Sequence, residues 1–129
     1  MWRDVIGGLW WKIAIWEEEE VNNLAKNHLN IVVPCYNEEK SLERFYQEAL
    51  REIVEIKEKI NSSITYSFIF VNDGSSDNTL EIMHMLKARD YNVRILDFSR
   101  NFGKESAILA GLQESKSVLD SMGGGVQRS

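Results

Sequence analysis

Three short apolar runs, each followed by a polar loop and then by apolar residues at helical spacing, constrain this chain more than any other feature. Leu29 to Pro34, Ile64 to Val71 and Val93 to Phe98 are nearly continuous in apolar residues, as strands covered on both faces are. Pro34 lacks an amide donor and is expected to end the first run. Leu42, Phe45, Ala49, Leu50, Ile53, Ile56 and Ile60 then mark a helix that Asn61, Ser62 and Ser63 break. Leu80, Ile82, Met83 and Leu86 mark a second, with Asn78 and Glu81 placed to cap it. Lys104 to Glu114 forms a third, carrying Ala107, Ile108, Ala110 and Leu112. The order is β-α-β-α-β-α. Crossovers of this length join parallel strands, so the expected fold is α/β, a three-layer α/β/α parallel sheet.

The 129 residues suit one domain, and 43% apolar with 27% charged residues is globular rather than disordered composition. A net charge of −5 argues against a nucleic-acid-binding domain, which needs a basic face, but not against a phosphorylated small molecule as ligand. Cys35 is the lone cysteine, so no internal disulfide or cysteine-based metal site is possible. No run reaches the ~18–20 apolar residues of a transmembrane helix. Val5 to Trp16 is short, interrupted by Lys12, and lacks the start and cleavage site of a secretory signal. The expected location is cytoplasmic, soluble or peripheral at the inner face of a membrane.

Two ends depart from this pattern. Residues 1–28 form a Trp-rich leader holding Trp2, Trp10, Trp11 and Trp16, followed by Glu17 to Glu20. Trp2, Ile6, Leu9, Ile13 and Trp16 fit an amphipathic helix; docking on protein, fraying, membrane contact and an extraneous leader are the alternatives. Residues 117–129, with Gly123 to Gly125, are expected to be a disordered tail after a domain at 29–116.

In an open parallel sheet, ligands bind beyond the carboxyl ends of the strands. Three loops leave such ends here: Pro34 to Glu39, Asn72 to Asp77, and Ser99 to Lys104. Tyr36 offers a ring for a base and Glu38 an acceptor for ribose hydroxyls, although acidic residues also simply favour a helix start. Asp73 can pair with the imide N–H of uracil, although Asp-Gly-Ser-Ser-Asp is also ordinary turn chemistry. Arg100 and Lys104 with a helix start suit a diphosphate, or are solvated cations. The glycine spacing of a P-loop or dinucleotide fingerprint is absent. His28 and His84 read as structural or solvated, Cys35 as a packing residue, and Met83 with Met85 as core.

The stretches Ile31-Val-Val-Pro-Cys-Tyr-Asn-Glu-Glu39, Phe70-Val-Asn-Asp-Gly-Ser-Ser-Asp-Asn-Thr79 and Phe98-Ser-Arg-Asn-Phe-Gly-Lys-Glu105 resemble the family 2 glycosyltransferases. Their fold is the GT-A nucleotide-sugar-binding domain, of which this chain resembles the N-terminal half. The third stretch is similar to the branch that moves sugars onto polyprenyl phosphates in cell-envelope synthesis, including dolichyl-phosphate mannose synthases and bactoprenol glucosyltransferases. The resemblance implies an inverting transferase using a nucleotide-diphospho-sugar, most often uridine-linked with guanosine as the alternative, and a membrane lipid acceptor. It assigns Pro34 and Tyr36 to the base wall, Glu38 to the nucleoside, Asp73 to the base edge and Lys104 to base and phosphates. Most members carry aspartate where Asn72 stands.

The family's Asp-x-Asp pair, which holds Mg²⁺ or Mn²⁺ on the diphosphate, has no counterpart after Lys116, where Asp120 stands alone. The catalytic base is likewise unassigned. The expectation is therefore an incomplete, inactive or nucleotide-binding-only form. Two alternatives stand beside it. One is a non-catalytic interaction or relic domain that self-associates through its sheet edge. The other is a flavodoxin- or receiver-like module, which Tyr36 and Asn37 disfavour because they replace the acidic cluster of receivers.

Overall fold

The computed structural model describes residues 2–4, 12–14, 28–60 and 62–121. In chain order these hold β1 (Trp2–Asp4), β2 (Lys12–Ala14), β3 (His28–Cys35), α1 (Leu42–Lys59), β4 (Thr65–Asn72), α2 (Thr79–Arg89), β5 (Val93–Asp97) and α3 (Lys104–Ser121). The strands form one sheet in sequence order. β3, β4 and β5 are parallel, as their helical crossovers require, while β1 and β2 join antiparallel ahead of β3, with Ala14 opposite Val32.

Register sets the position of the loops. Cys35 lies opposite Asn72, and Asn72 opposite Asp97. All three parallel strands therefore stop at one level, and Tyr36, Asp73 and Phe98 leave from the same rim.

Alternation along the strands divides the core between two layers of helix. Leu29, Ile31, Val33, Phe68, Phe70 and Val93 pack with Leu42, Phe45, Ala49, Ile53, Met83 and Leu86 of α1 and α2. Val32, Ile69 and Val71 face the opposite side and pack with Ala107 and Val118 of α3. α3 lies close to the sheet because Gly111 is small: a Cβ there would stand 2.3 Å from Val32 Cγ1. The result is the expected α/β/α layering.

Several local expectations change. Pro34 lies inside β3 rather than ending it, because Cys35 O accepts the Asp73 amide on the β4 side at 2.9 Å. By alternation, the missing Pro34 donor faces away from β4, so the β3–β4 ladder keeps its bonds. α3 runs past Glu114 to Ser121, since Val118 continues its buried stripe. The disordered-tail expectation thus fails for 117–121, and residues 122–129 lie outside the described set. Trp2 and Ile13 lie in strands, not in an amphipathic helix; Ile6, Leu9 and Trp16 lie outside the described residues. Met83 is buried but Met85 is 54% exposed, as two residues two apart on a helix point to opposite sides. His28 is structural: its ring contacts the hydroxyls of Thr65 and Ser67 at 2.6 and 3.0 Å. Burial pushes the Cys35 thiol well up, so it is an inert packing group.

Candidate functional site

The three rim loops are stitched together by side chains bonding to backbone. In the loop after β3, Tyr36 is 49% exposed and Asn37 has a φ of +54°. Asn37 Oδ1 accepts from the Ser76 and Asp77 amides at 2.8 and 3.3 Å, joining this loop to the one after β4. The Glu38 amide donates to Thr79 Oγ1 at 2.8 Å, and the Glu39 amide to Asp77 Oδ2 at 3.2 Å. In return, the Asn78 amide donates to Glu39 Oε1 at 2.9 Å.

The expected cap of α2 is therefore replaced. Asn78 makes no side-chain cap bond; Asp77 Oδ1 accepts the Thr79 amide at 2.9 Å instead. Burial alone would push the Asp77 carboxyl up, but hydrogen bonds from the Thr79 hydroxyl and from the Thr79 and Glu39 amides outweigh it and hold it down. Glu38 shifts the other way. Burial pushes its carboxyl up, the Ser41 hydroxyl partly offsets this, and the Asp77 charge adds to it.

Asp73 joins the second loop to the third. It is 3% exposed, and its two carboxylate oxygens accept the amides of Phe102 and Gly103 at 2.8 and 3.1 Å. The approach is close enough to require glycine beside it. Gly74 has a φ of +73°, and a Cβ there would lie 2.3 Å from Arg100 C and Asn101 N. Below this junction, Asn72 Nδ2 donates to Asp97 Oδ1 at 2.9 Å and Asn72 Oδ1 accepts the Ser75 amide at 3.2 Å. An amide suits this place, because it donates to one neighbour and accepts from the other.

The third loop carries aromatic and cationic groups. Phe98 and Phe102 meet edge to face at 5.6 Å, and the Arg100 guanidinium lies 4.5 Å over the Phe102 ring. Lys104 opens α3 and is exposed. Pro34 is half-buried and stands next to last in β3, two residues before Tyr36.

Tyr36, Glu38, Asp73 and Lys104 thus share one rim. Sequence reasoning missed Asn37, Gly74 and Asp77, which hold it; an Asn and a Gly in adjoining loops were the available signal for left-handed backbone. Two shallow hollows adjoin the rim loops. One of about 570 Å³ is bordered by Glu39, Lys40, Asn78, Glu81, Ile82 and Met85, and one of about 480 Å³ lies between β5 and α3. Neither includes Tyr36, Asp73 or Lys104.

The family model for glycosyl transferase family 2 matches residues 30–118, which contain all three loops, β4, β5 and all but the first two residues of β3. The chain belongs to glycosyl transferase family 2. Its layered parallel sheet agrees with the N-terminal half of the GT-A fold. The uncharacterized glycosyltransferase YkcC of Bacillus subtilis is 43% identical over 83 residues, covering 64% of this chain and 24% of that protein. A prophage bactoprenol glucosyl transferase homolog of Escherichia coli K12 is 41% identical over 87 residues, covering 67% of this chain and 26% of that protein. The bactoprenol glucosyl transferase of Shigella phage SfX is 40% identical over 87 residues, with coverages of 67% and 27%. The chain thus spans about a quarter of the length of these glycosyltransferases. Among the described residues, no helix is long and apolar enough to cross a membrane.

Proposed function

We propose that the rim binds the nucleotide of a UDP-linked sugar donor, and that the whole protein transfers that sugar to a polyprenyl phosphate at the inner face of a membrane. The observation that carries this reading is the pair of junctions, Asn37 to Ser76 and Asp77 and Asp73 to Phe102 and Gly103, which bring the three family motifs to one edge. The bactoprenol glucosyl transferase names of the relatives support the lipid acceptor.

In this reading Tyr36 stacks on the uracil against Pro34, and Glu38 accepts from the ribose hydroxyls. Asp73 holds the third loop and offers the imide N–H its remaining lone pairs. Lys104, Arg100 and the open amides of the first turn of α3 take the diphosphate. An acceptor phosphate oxygen attacks the anomeric carbon from the face opposite the nucleotide. The bond to the diphosphate oxygen breaks as the new one forms, which inverts the centre, and the nucleoside diphosphate leaves with the electron pair.

A divalent cation, as the family resemblance implies, would neutralise that leaving group. The described residues do not fit one. No three His, Cys, Asp or Glu side chains come together among them; the Asp73 oxygens hold backbone amides, and Asn72 is an amide bound to Asp97.

Titration calorimetry with UDP and GDP, with and without Mn²⁺, tests the binding claim. Heat with UDP is expected, and silence from folded protein with both nucleotides removes it. A second reading, self-association, draws on β5, which ends the sheet and leaves its outer edge without a strand partner among the described residues. Light scattering that shows a monomer at all concentrations eliminates that reading.

A further inference from the structure

We infer that Asn37 is a positioning residue, whose side chain pins the Tyr36–Glu38 turn to the Ser75–Asp77 turn and so sets where the Tyr36 ring stands. The inference rests on the nucleotide reading above. Among the described residues, Asn37 alone combines a positive φ with a side chain. Left-handed backbone disfavours most L-residues, and asparagine is one of the few that tolerate it.

In that conformation Asn37 Oδ1 receives three donors: the Ser76 amide at 2.8 Å, the Ser76 hydroxyl at 3.3 Å and the Asp77 amide at 3.3 Å. Its own amide donates to Ser75 Oγ at 2.9 Å. Tyr36, Asn37 and Ser76 are all exposed, so no apolar burial fixes this junction. A loop without such burial opens readily, and a ligand must then bear the cost of ordering it. Asn37 orders the turn beforehand. It does for the first two loops what Asp73 does for the second and third.

The test uses the 129-residue chain with two substitutions. Asn37→Gly keeps the left-handed backbone and deletes the acceptor, whereas Asn37→Asp keeps an acceptor oxygen. In Asn37→Gly, amide hydrogen exchange is expected to quicken about tenfold at Ser76 and Asp77 and to stay unchanged at Phe102 and Gly103, which Asp73 holds. Asn37→Asp is expected to keep Ser76 and Asp77 slow. The UDP dissociation constant should rise about fivefold to tenfold in Asn37→Gly, with the melting temperature within a few degrees of the unsubstituted chain. Unchanged exchange at Ser76 and Asp77 in the glycine variant overturns the inference, as does unaltered UDP affinity in a chain that binds UDP. If the unsubstituted chain binds no UDP, the nucleotide reading fails, and the exchange result alone decides the role of Asn37.

Discussion

The sheet face under α1 and α2 and the rim above it are made of opposite materials. The face is a stack of Phe45, Phe68, Phe70, Leu42 and Ile64, all fully buried, with Phe68 contacting the rings of Tyr46, Tyr66 and Phe70 at 5.1–5.8 Å. Its cohesion is apolar area and dispersion, which are non-directional and tolerate changes of shape. The rim is polar and depends on directed bonds that backbone amides donate to the side-chain oxygens of Asn37, Asp73 and Asp77. Such bonds fix geometry more than they add stability, as a binding edge requires. The contrast implies that core substitutions unfold the chain, whereas rim substitutions change ligand affinity at smaller cost to the fold.

The largest effect should come from the face. Phe68→Ala is expected to cost about 3–5 kcal/mol in urea unfolding, through lost transfer energy and the cavity left among three rings. Asp73→Ala should cost less, about 2–3 kcal/mol, by leaving the Phe102 and Gly103 amides without their acceptor. A loss as large as that of Phe68→Ala would erase the distinction between face and rim. Gly74→Ala should cost about 1–3 kcal/mol and displace the third loop, read as shifted amide resonances from Arg100 to Gly103. Tyr36→Ala sharpens the contrast most: stability within about 0.5 kcal/mol of the original, but UDP affinity weaker by about 1–3 kcal/mol through lost stacking.

The smallest effect is a pH dependence at Glu38. Its carboxyl is held above the ordinary value of 4.5, mainly by burial, so the folded chain binds that proton more tightly than the unfolded one. This contribution is fully present below the ordinary value and is lost as pH rises through the folded one. Glu38→Gln should therefore melt slightly higher than the original chain at neutral pH, with the gap closing toward about pH 4. A gap that widens on acidification would contradict this.

Much of the face was legible in sequence because apolar runs and helical spacing are local signals. β3 and β4 differ from the sequence reading by one residue at each end and β5 by one residue at its end, and the parallel order followed from crossover length. The end of α3 was not legible, since the single Val118 extends its stripe and only the sheet beneath shows that it is buried. At the rim, residue types pointed to the right loops, but their aim did not follow. Asp73 turns to Phe102 and Gly103, and Asp77, whose other oxygen accepts the Glu39 amide, caps α2 in place of Asn78. Such choices depend on partners tens of residues away in the chain.

Titrating the ¹⁵N-labelled chain with UDP while following its backbone amides tests most directly whether the three stitched loops are one binding edge. Amides in Tyr36 to Ser41, Asp73 to Asn78 and Phe102 to Ser106 are predicted to shift together with a single dissociation constant. Shifts confined to one loop, or spread over the outer faces of α1 and α2, would contradict the account.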